Sequence, residues 1–442
     1  MRYLIAGVLF VVGVSAGSQA LEADTEFFQE SKTFFSASEG FTKSEGLPCD
    51  SVLAITIDGA GKPIASTDMG VVRYTGKGWM PLPALDFVAT RLVMGKHELY
   101  AAGEQAVAVL SEGGWIQLKR ASEEPITAIY CDAASDALLV GSATHLSYFF
   151  PGETRGNELQ TIPDVPKGIL SIAHSAEGEL ALGTAAGLYI RPRGSKTWES
   201  VLPADEQYSW APRDVRALTY DHSGRLCFGA QQGVGIRDEA GNWQLFTGAE
   251  GLPYNGFTMV ASGEDGSLWF ATDKGAIRKD DERFRYRFSQ RWVPDDQING
   301  VAIAVGGTAW IATPRGISRI ERNAMTLAEK ATYFTAQVEE RHERDGFIAT
   351  SPLNEPYNPA SYYHGITDND GLYTSMYGAA KAFQYGATGD KEARRLAQRS
   401  FEACKRLVDI TGNGFVARVI IPADWHEDVN EQYGNEYNIY KK

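Results

Sequence analysis

The chain has 442 residues, 43% hydrophobic and 22% charged, enough for two or three domains with ordinary cores. Its formal net charge is −14, which argues against a nucleic-acid partner because phosphate binding needs a basic face. Cys49, Cys131, Cys227 and Cys404 have no CxxC spacing, so neither a disulfide framework nor a zinc site is expected, and they read as free thiols.

The N-terminus has the three parts of a secretory signal: Arg2, an apolar run from Leu4 to Val14, and the small-x-small site Ser18-Gln19-Ala20. The run is short for a bilayer span, so residues 1–20 are predicted to be a cleaved signal peptide rather than an anchor. The mature protein would then start near Leu21. It would be exported (periplasmic or extracellular) and have no stable membrane span.

From Val52 to Ile320 one phrase recurs seven times. A stretch with spaced aliphatics comes first, then a Gly turn, a short apolar strand, a two-residue break and a Gly-aliphatic pair. Clear copies are Gly178 to Leu188, Gly224 to Val234 and Gly266 to Ala276. Equivalent positions are Gly70, Ala106, His145, Gly187, Gly233, Gly275 and Gly316, in steps of 36, 39, 42, 46, 42 and 41. Steps near forty that are filled with short strands predict four-stranded blades around a channel. Strand a carries Val52-x-x-Ile55, Ile169-x-x-Ile172 or Val215-x-x-Leu218. Strand b is a continuous apolar run, strand c follows the Gly, and strand d carries Trp79, Trp115, Trp198, Trp243 or Phe284. The third repeat has Leu159 in place of that aromatic. The seventh repeat lacks a strand d, while Phe27 to Phe41 is a spare aromatic strand. The prediction is therefore a mainly β chain, a seven-bladed propeller over residues 21–322 closed by the N-terminal strand, with its sheet edges hidden.

The segments Gly46-Leu47-Pro48-Cys49-Asp50-Ser51-Val52 and Gly251-Leu252-Pro253-Tyr254-Asn255-Gly256-Phe257, with the Gly turns above, resemble the two-component-regulator propeller repeat over roughly residues 46–320. The resemblance implies an exported sensor-type propeller that recognises glycan fragments. The chain departs from that plan in having no transmembrane helix and no kinase after the propeller. The second and third repeats are degenerate, so the ring is expected to be irregular there.

Composition changes after Ile320. Asn323 to Arg344 reads as a helix with Asn323 at its N-cap and Leu327, Ala331, Phe334 and Val338 on one face. Asp370 to Ala387 and Asp390 to about Ile410 read as two more helices. The stretch Tyr363-His364 through Asp390 resembles the opening of an (α/α) toroid of the six-hairpin glycosidase and epimerase type. Residues 323–442 are therefore expected to be a short all-α segment, part of such a toroid: either a truncated product or a hairpin docked on the propeller.

Candidate site residues fall in two places. His364, Asp368 and Asp370 form the densest cluster, open to general acid–base catalysis or sugar binding, or to simple helix capping by Asp368-Asn369-Asp370. Arg418 suits an acidic sugar or a surface ion pair, and Trp425 suits stacking on a sugar ring. In the propeller, Tyr208 and Trp210 lie in an insert at Ala204 to Arg213, and Trp292 lies in the loop after blade 6; loops carry function more often than strands do. The sequence has no nucleophile elbow, P-loop, HExxH or dinucleotide fingerprint, and no cofactor or metal is predicted. The function expected is binding of a glycan or other small ligand without catalysis in this chain. The alternatives are a carbohydrate-active enzyme with its chemistry in the helical segment, and a protein-interaction propeller.

Overall fold

A computed structural model describes residues 27–37, 46–132, 136–151, 157–280, 283–355 and 358–421. Seven four-stranded antiparallel sheets form the ring, and blades 1 to 6 follow chain order, from Val52–Ile57 in blade 1 to Phe284–Arg287 in blade 6. Blade 7 combines Gly300–Ala304, Thr308–Thr313 and Gly316–Met325 with the closing strand Phe27–Phe35. That strand runs antiparallel to Gly316–Met325, from Phe27 opposite Met325 to Phe35 opposite Ile317. The predicted closure is therefore present. The expected continuation of the strand beyond Ser36 falls largely on residues 38–45, outside the described residues, as does the expected signal segment.

The i, i+3 aliphatic spacing of strand a has a structural cause. Residues three apart on a regular strand face opposite sides. In blades 1, 3, 4 and 6 the ladder shifts register near the start of strand a, as between Val52 and Ala54 or Ile169 and Ser171. The extra residue of such a bulge turns both aliphatics to one side. Val52 and Ile55 share one core, Ile169 and Ile172 a second, and Phe257 and Val260 a third. Strand b is buried on both faces, Leu268–Thr272 along its whole length, which explains its unbroken apolar run. The cores lie between blades, not within them.

Two further devices fix the geometry. The buried Thr272 hydroxyl donates to the Gly275 carbonyl at 2.6 Å and accepts from the Lys274 amide at 3.1 Å, which ties the b–c turn. Thr67, Thr184 and Thr313 repeat this bond to Gly70, Gly187 and Gly316. Gly316 has φ 123°, and a Cβ there would meet the Phe35 carbonyl at 2.4 Å, so the closing strand can approach only a glycine. Phe35 then stacks on Trp310 with ring centroids 5.4 Å apart and meets Tyr74 and Trp79 edge-on at 5.4 and 6.1 Å. Glu30 accepts from Arg287 Nε of blade 6 at 2.7 Å.

The helical segment starts later than expected. Asn323 is still in the last strand of blade 7, opposite Gln29, and donates to Ser31 Oγ at 2.9 Å. Thr326 caps α1 (Leu327–Arg341) through a capping box with Glu329. After a short hairpin, Glu343–Arg344 with Phe347–Ile348, come α2 (Asp370–Thr388) and α3 (Lys391–Asp409). Asp390 caps α3 through the Glu392 amide, as the sequence suggests. Phe347, Ala403 and Leu407 form a small core. Leu327 and Phe334, expected on an apolar helix face, are exposed instead, as are Leu372, Met376, Phe383 and Phe401, Phe383 by 81%. No helix among the described residues is long and apolar enough to cross a membrane.

Candidate functional site

A groove of about 490 Å³ opens between blades 3 and 4. Its lining includes Tyr148, Phe150, Thr161, His174, Arg191 and Ser195. The c–d segments of blades 3 and 4 are residues 150–159 and 192–198, whereas the others in blades 1 to 6 are the shorter 75–78, 112–113, 238–242 and 280–283. Phe150, at the start of the first, and Pro192, Gly194 and Ser195, in the second, line the groove.

The chemistry of the lining is mixed. Tyr148 and Phe150 meet edge-to-face at 5.4 Å and give the groove an aromatic wall. The Arg191 guanidinium lies 4.9 Å from the Trp198 ring centroid. Burial lowers the Arg191 pKa, and it makes no ion pair or hydrogen bond among the described residues. His174 Nδ1 and Trp198 Nε1 are buried polar atoms without a hydrogen-bond partner among the described residues. Orphaned buried polar atoms are rare in native proteins and call for an explanation. The Tyr130 hydroxyl donates to the His174 carbonyl at 3.1 Å and fixes that backbone; its own pKa is pushed up to about 12, mainly by burial. Asp132 also lines the groove.

A second recess, between blades 2 and 3, has only about 10 Å³ and is lined by Arg120, Ser142, His145 and Leu159. Glu124 accepts there from Ser142 Oγ at 2.7 Å and Thr144 Oγ1 at 2.6 Å. These bonds hold its carboxyl down at about 2. The recess has room for about one water, not a ligand.

The residues singled out from sequence lie elsewhere. Tyr208 and Trp210 are in the d–a connection from blade 4 to blade 5, on the opposite face of the disc from the c–d segments. The Tyr208 hydroxyl donates to Glu250 Oε1 at 3.0 Å, and Trp210 is buried edge-on to Phe228. Trp292 packs under the Arg287 guanidinium at 4.5 Å, and its carbonyl accepts from Ser318 Oγ at 2.7 Å. In the helical segment, Asp370 is fully buried and pairs with Arg344 at 2.6 Å, and burial outweighs that pairing so that its pKa is raised. Asn369 occupies the N-cap position of α2 without a side-chain cap bond, so neither residue caps the helix through its side chain as capping would require. His364, its pKa lowered by burial and then by Arg344, has a buried Nε2 without a partner among the described residues. Asp368 and Arg418 form an exposed ion pair at 2.8 Å. Trp425 lies outside the described residues. Arg344 thus holds Asp370 in a buried pair and disfavours a charge on His364, while Asp368 is occupied at the surface.

No protein-family model matches the chain, and no curated protein matches it. Solved structures do match. A streptogramin B lyase aligns with a TM-score of 0.52 at 13% identity, covering 68% of this chain and all of that one. A virginiamycin B lyase from Staphylococcus aureus gives 0.52 at 12% identity, covering 67% of this chain and 99% of the other. The extracellular domain of a putative hybrid two component system from B. thetaiotaomicron gives 0.51 at 14% identity, covering 66% of this chain and 40% of that one. At these identities the likeness is one of fold, a propeller shared by lyases and by sensor domains, and fold alone does not choose between them.

Proposed function

We propose that the chain is an exported ligand-binding propeller that recognises a glycan fragment in the groove between blades 3 and 4, without catalysis in this chain. The observation that carries this is the groove lining: an aromatic wall of Tyr148 and Phe150 together with polar groups, among them Arg191 and His174, whose buried Nδ1 has no partner among the described residues. Aromatic faces with a few convergent polar groups suit a polyhydroxylated ring. Export is supported by the signal-like residues 1–20 and by the fold shared with an extracellular sensor domain. The layout proposed with it is a propeller over residues 21–322 and a helical segment over residues 323–442 that forms part of an (α/α) toroid. The solvent-facing Leu372, Met376 and Phe383 fit helices made to pack against more than the described residues supply. In that picture Tyr208, Trp210, Trp292 and the cluster around Asp368 contribute to structure more than to the ligand.

Thermal-shift screening of the mature chain against an oligosaccharide library, followed by calorimetry on the hits, tests the proposal. Tyr148→Ala should weaken binding at least tenfold and Tyr208→Ala should not. Hits that bind the Tyr148→Ala variant with unchanged affinity would remove the groove as the site.

A further inference from the structure

The ring contains its own control for the groove. In strand c, Arg191 and Arg237 are equivalent: each lies four residues after its turn glycine, Gly187 or Gly233, and faces Leu180 or Leu226 across the ladder. Each sits on a tryptophan of its own blade, Arg191 at 4.9 Å from Trp198 and Arg237 at 5.9 Å from Trp243. In strand a, His174 and Tyr220 are equivalent, because they pair with the same two leucines. Between blades 4 and 5, Arg237 and Tyr220 converge on one acceptor, the Glu179 carboxylate: the Tyr220 hydroxyl donates to it at 2.5 Å and Arg237 forms an ion pair with it. Glu179 comes from the blade before and immediately precedes Leu180. One interface back, the residue immediately preceding the matching Leu138 is Ala137, and Ala137 lines the groove.

Between blades 3 and 4, then, the arginine is kept, a histidine ring stands where Tyr220 stands, and Ala137 replaces the glutamate, with Asp132, the cross-strand partner of Ala137, as the carboxylate of the lining. Arg191 makes no ion pair and His174 Nδ1 no hydrogen bond among the described residues. Arg191 and His174 flank Leu180 in the ladder and line the same groove, and a guanidinium fork matches the planar geometry of an oxyanion. We propose that the groove takes an anionic ligand, a glycan bearing a carboxylate or sulfate, whose oxyanion sits between Arg191 and His174 where Glu179 sits one interface on. This rests on the groove being the ligand site and adds the charge of the ligand.

The test uses three probes on the mature chain: a galacturonate trisaccharide, its carboxyl-reduced neutral counterpart, and that neutral trisaccharide carrying sulfate. At least one charged probe should bind ten times or more tighter than the neutral one, and whether the carboxylate or the sulfate probe does so identifies the source of the oxyanion. Arg191→Gln should remove that advantage, so that charged and neutral probes bind this variant alike. Ala137→Glu supplies the absent glutamate; it should abolish charged-probe binding and raise the melting temperature, as a satisfied counterpart of the Glu179 cradle. Where that variant fails to fold, His174→Phe with Arg191→Gln provides the same loss. Equal binding of neutral and charged probes, still lost on Tyr148→Ala, would overturn the anionic assignment and leave the groove as the site. Binding of any probe that is indifferent to both Tyr148→Ala and Arg191→Gln, or no binding of any probe, would overturn both.

Discussion

Replacing Phe35 by Ala tests how the ring is held shut. The Phe35 ring is 7% exposed and touches Tyr74, Trp79 and Trp310, so it joins the closing strand of blade 7 to blade 1 across the seam. Truncating a buried Phe costs about 3–5 kcal/mol, from lost transfer energy and the cavity left behind. Here three aromatic neighbours each lose a ring contact, which favours the upper half of that range. A globular domain has roughly 5–15 kcal/mol in all, so about a third of the propeller's stability would go. At roughly 2 °C per kcal/mol for a domain of this size, the melting point should fall by about 8–10 °C. Urea unfolding followed by tryptophan fluorescence reads the same loss as a lower midpoint with unchanged slope. Phe383→Ala on α2, at an 81% exposed ring, is the matched control and should change stability by less than about 0.5 kcal/mol. If Phe35→Ala melted with the parent protein, the closing strand would not be holding the ring, and the argument from the seam would fail.

The remaining predictions concern polar contacts. Thr272→Val deletes the hydroxyl that ties the b–c turn of blade 6 and leaves its acceptor and donor buried; it should cost about 1–3 kcal/mol by chemical denaturation. Asp370→Ala leaves Arg344 buried without its carboxylate and should cost about 3–5 kcal/mol, lost as local protection of α2 from hydrogen exchange before the propeller opens. Glu124 titrates lower when folded, at about 2 against 4.5 ordinarily, because Thr144 and Ser142 donate to its ionised form. Its contribution is therefore present above pH 4.5 and lost as pH falls towards 2. A Glu124→Gln variant should lack that part of the acid dependence of melting, and an unchanged acid profile would count against these bonds.

Much of the ring could be read from sequence because its causes are local. A turn glycine forced to positive φ, a buried Thr three residues before it, and apolar pairs three apart at a bulge all recur within one repeat, and each copy supports the others. Closure could be read from a missing strand at one end and a spare one at the other. The start of α1 could not: Asn323 is a good cap in isolation, but the ladder with the closing strand extends to Met325, and tertiary pairing overrides the local preference. The chemistry of Asp370 was equally hidden. An acid at a helix start satisfies free amides in most contexts, and only the hairpin that carries Arg344 into the interior makes it a buried ion-pair partner. Tyr208 and Trp210 drew notice as an aromatic insert outside the repeat, yet that insert folds back into the blade 4–5 core.

The groove shows where a repeat is most informative. Its residues break no motif, so no single position marks it. It emerges when neighbouring units are compared in register: the same Arg over the same Trp, a polar ring at the same place in strand a, and a glutamate at one interface where the other has Ala137. A half-buried cation left without an ion-pair partner among the described residues costs stability, since its desolvation is not offset by pairing. Blade 4 bears that cost at the groove, and not at blade 5, where Glu179 accepts from Tyr220 and pairs with Arg237. Cost and cavity coincide in position, which is what a site left open for an external oxyanion requires and what a random loss of one carboxylate does not.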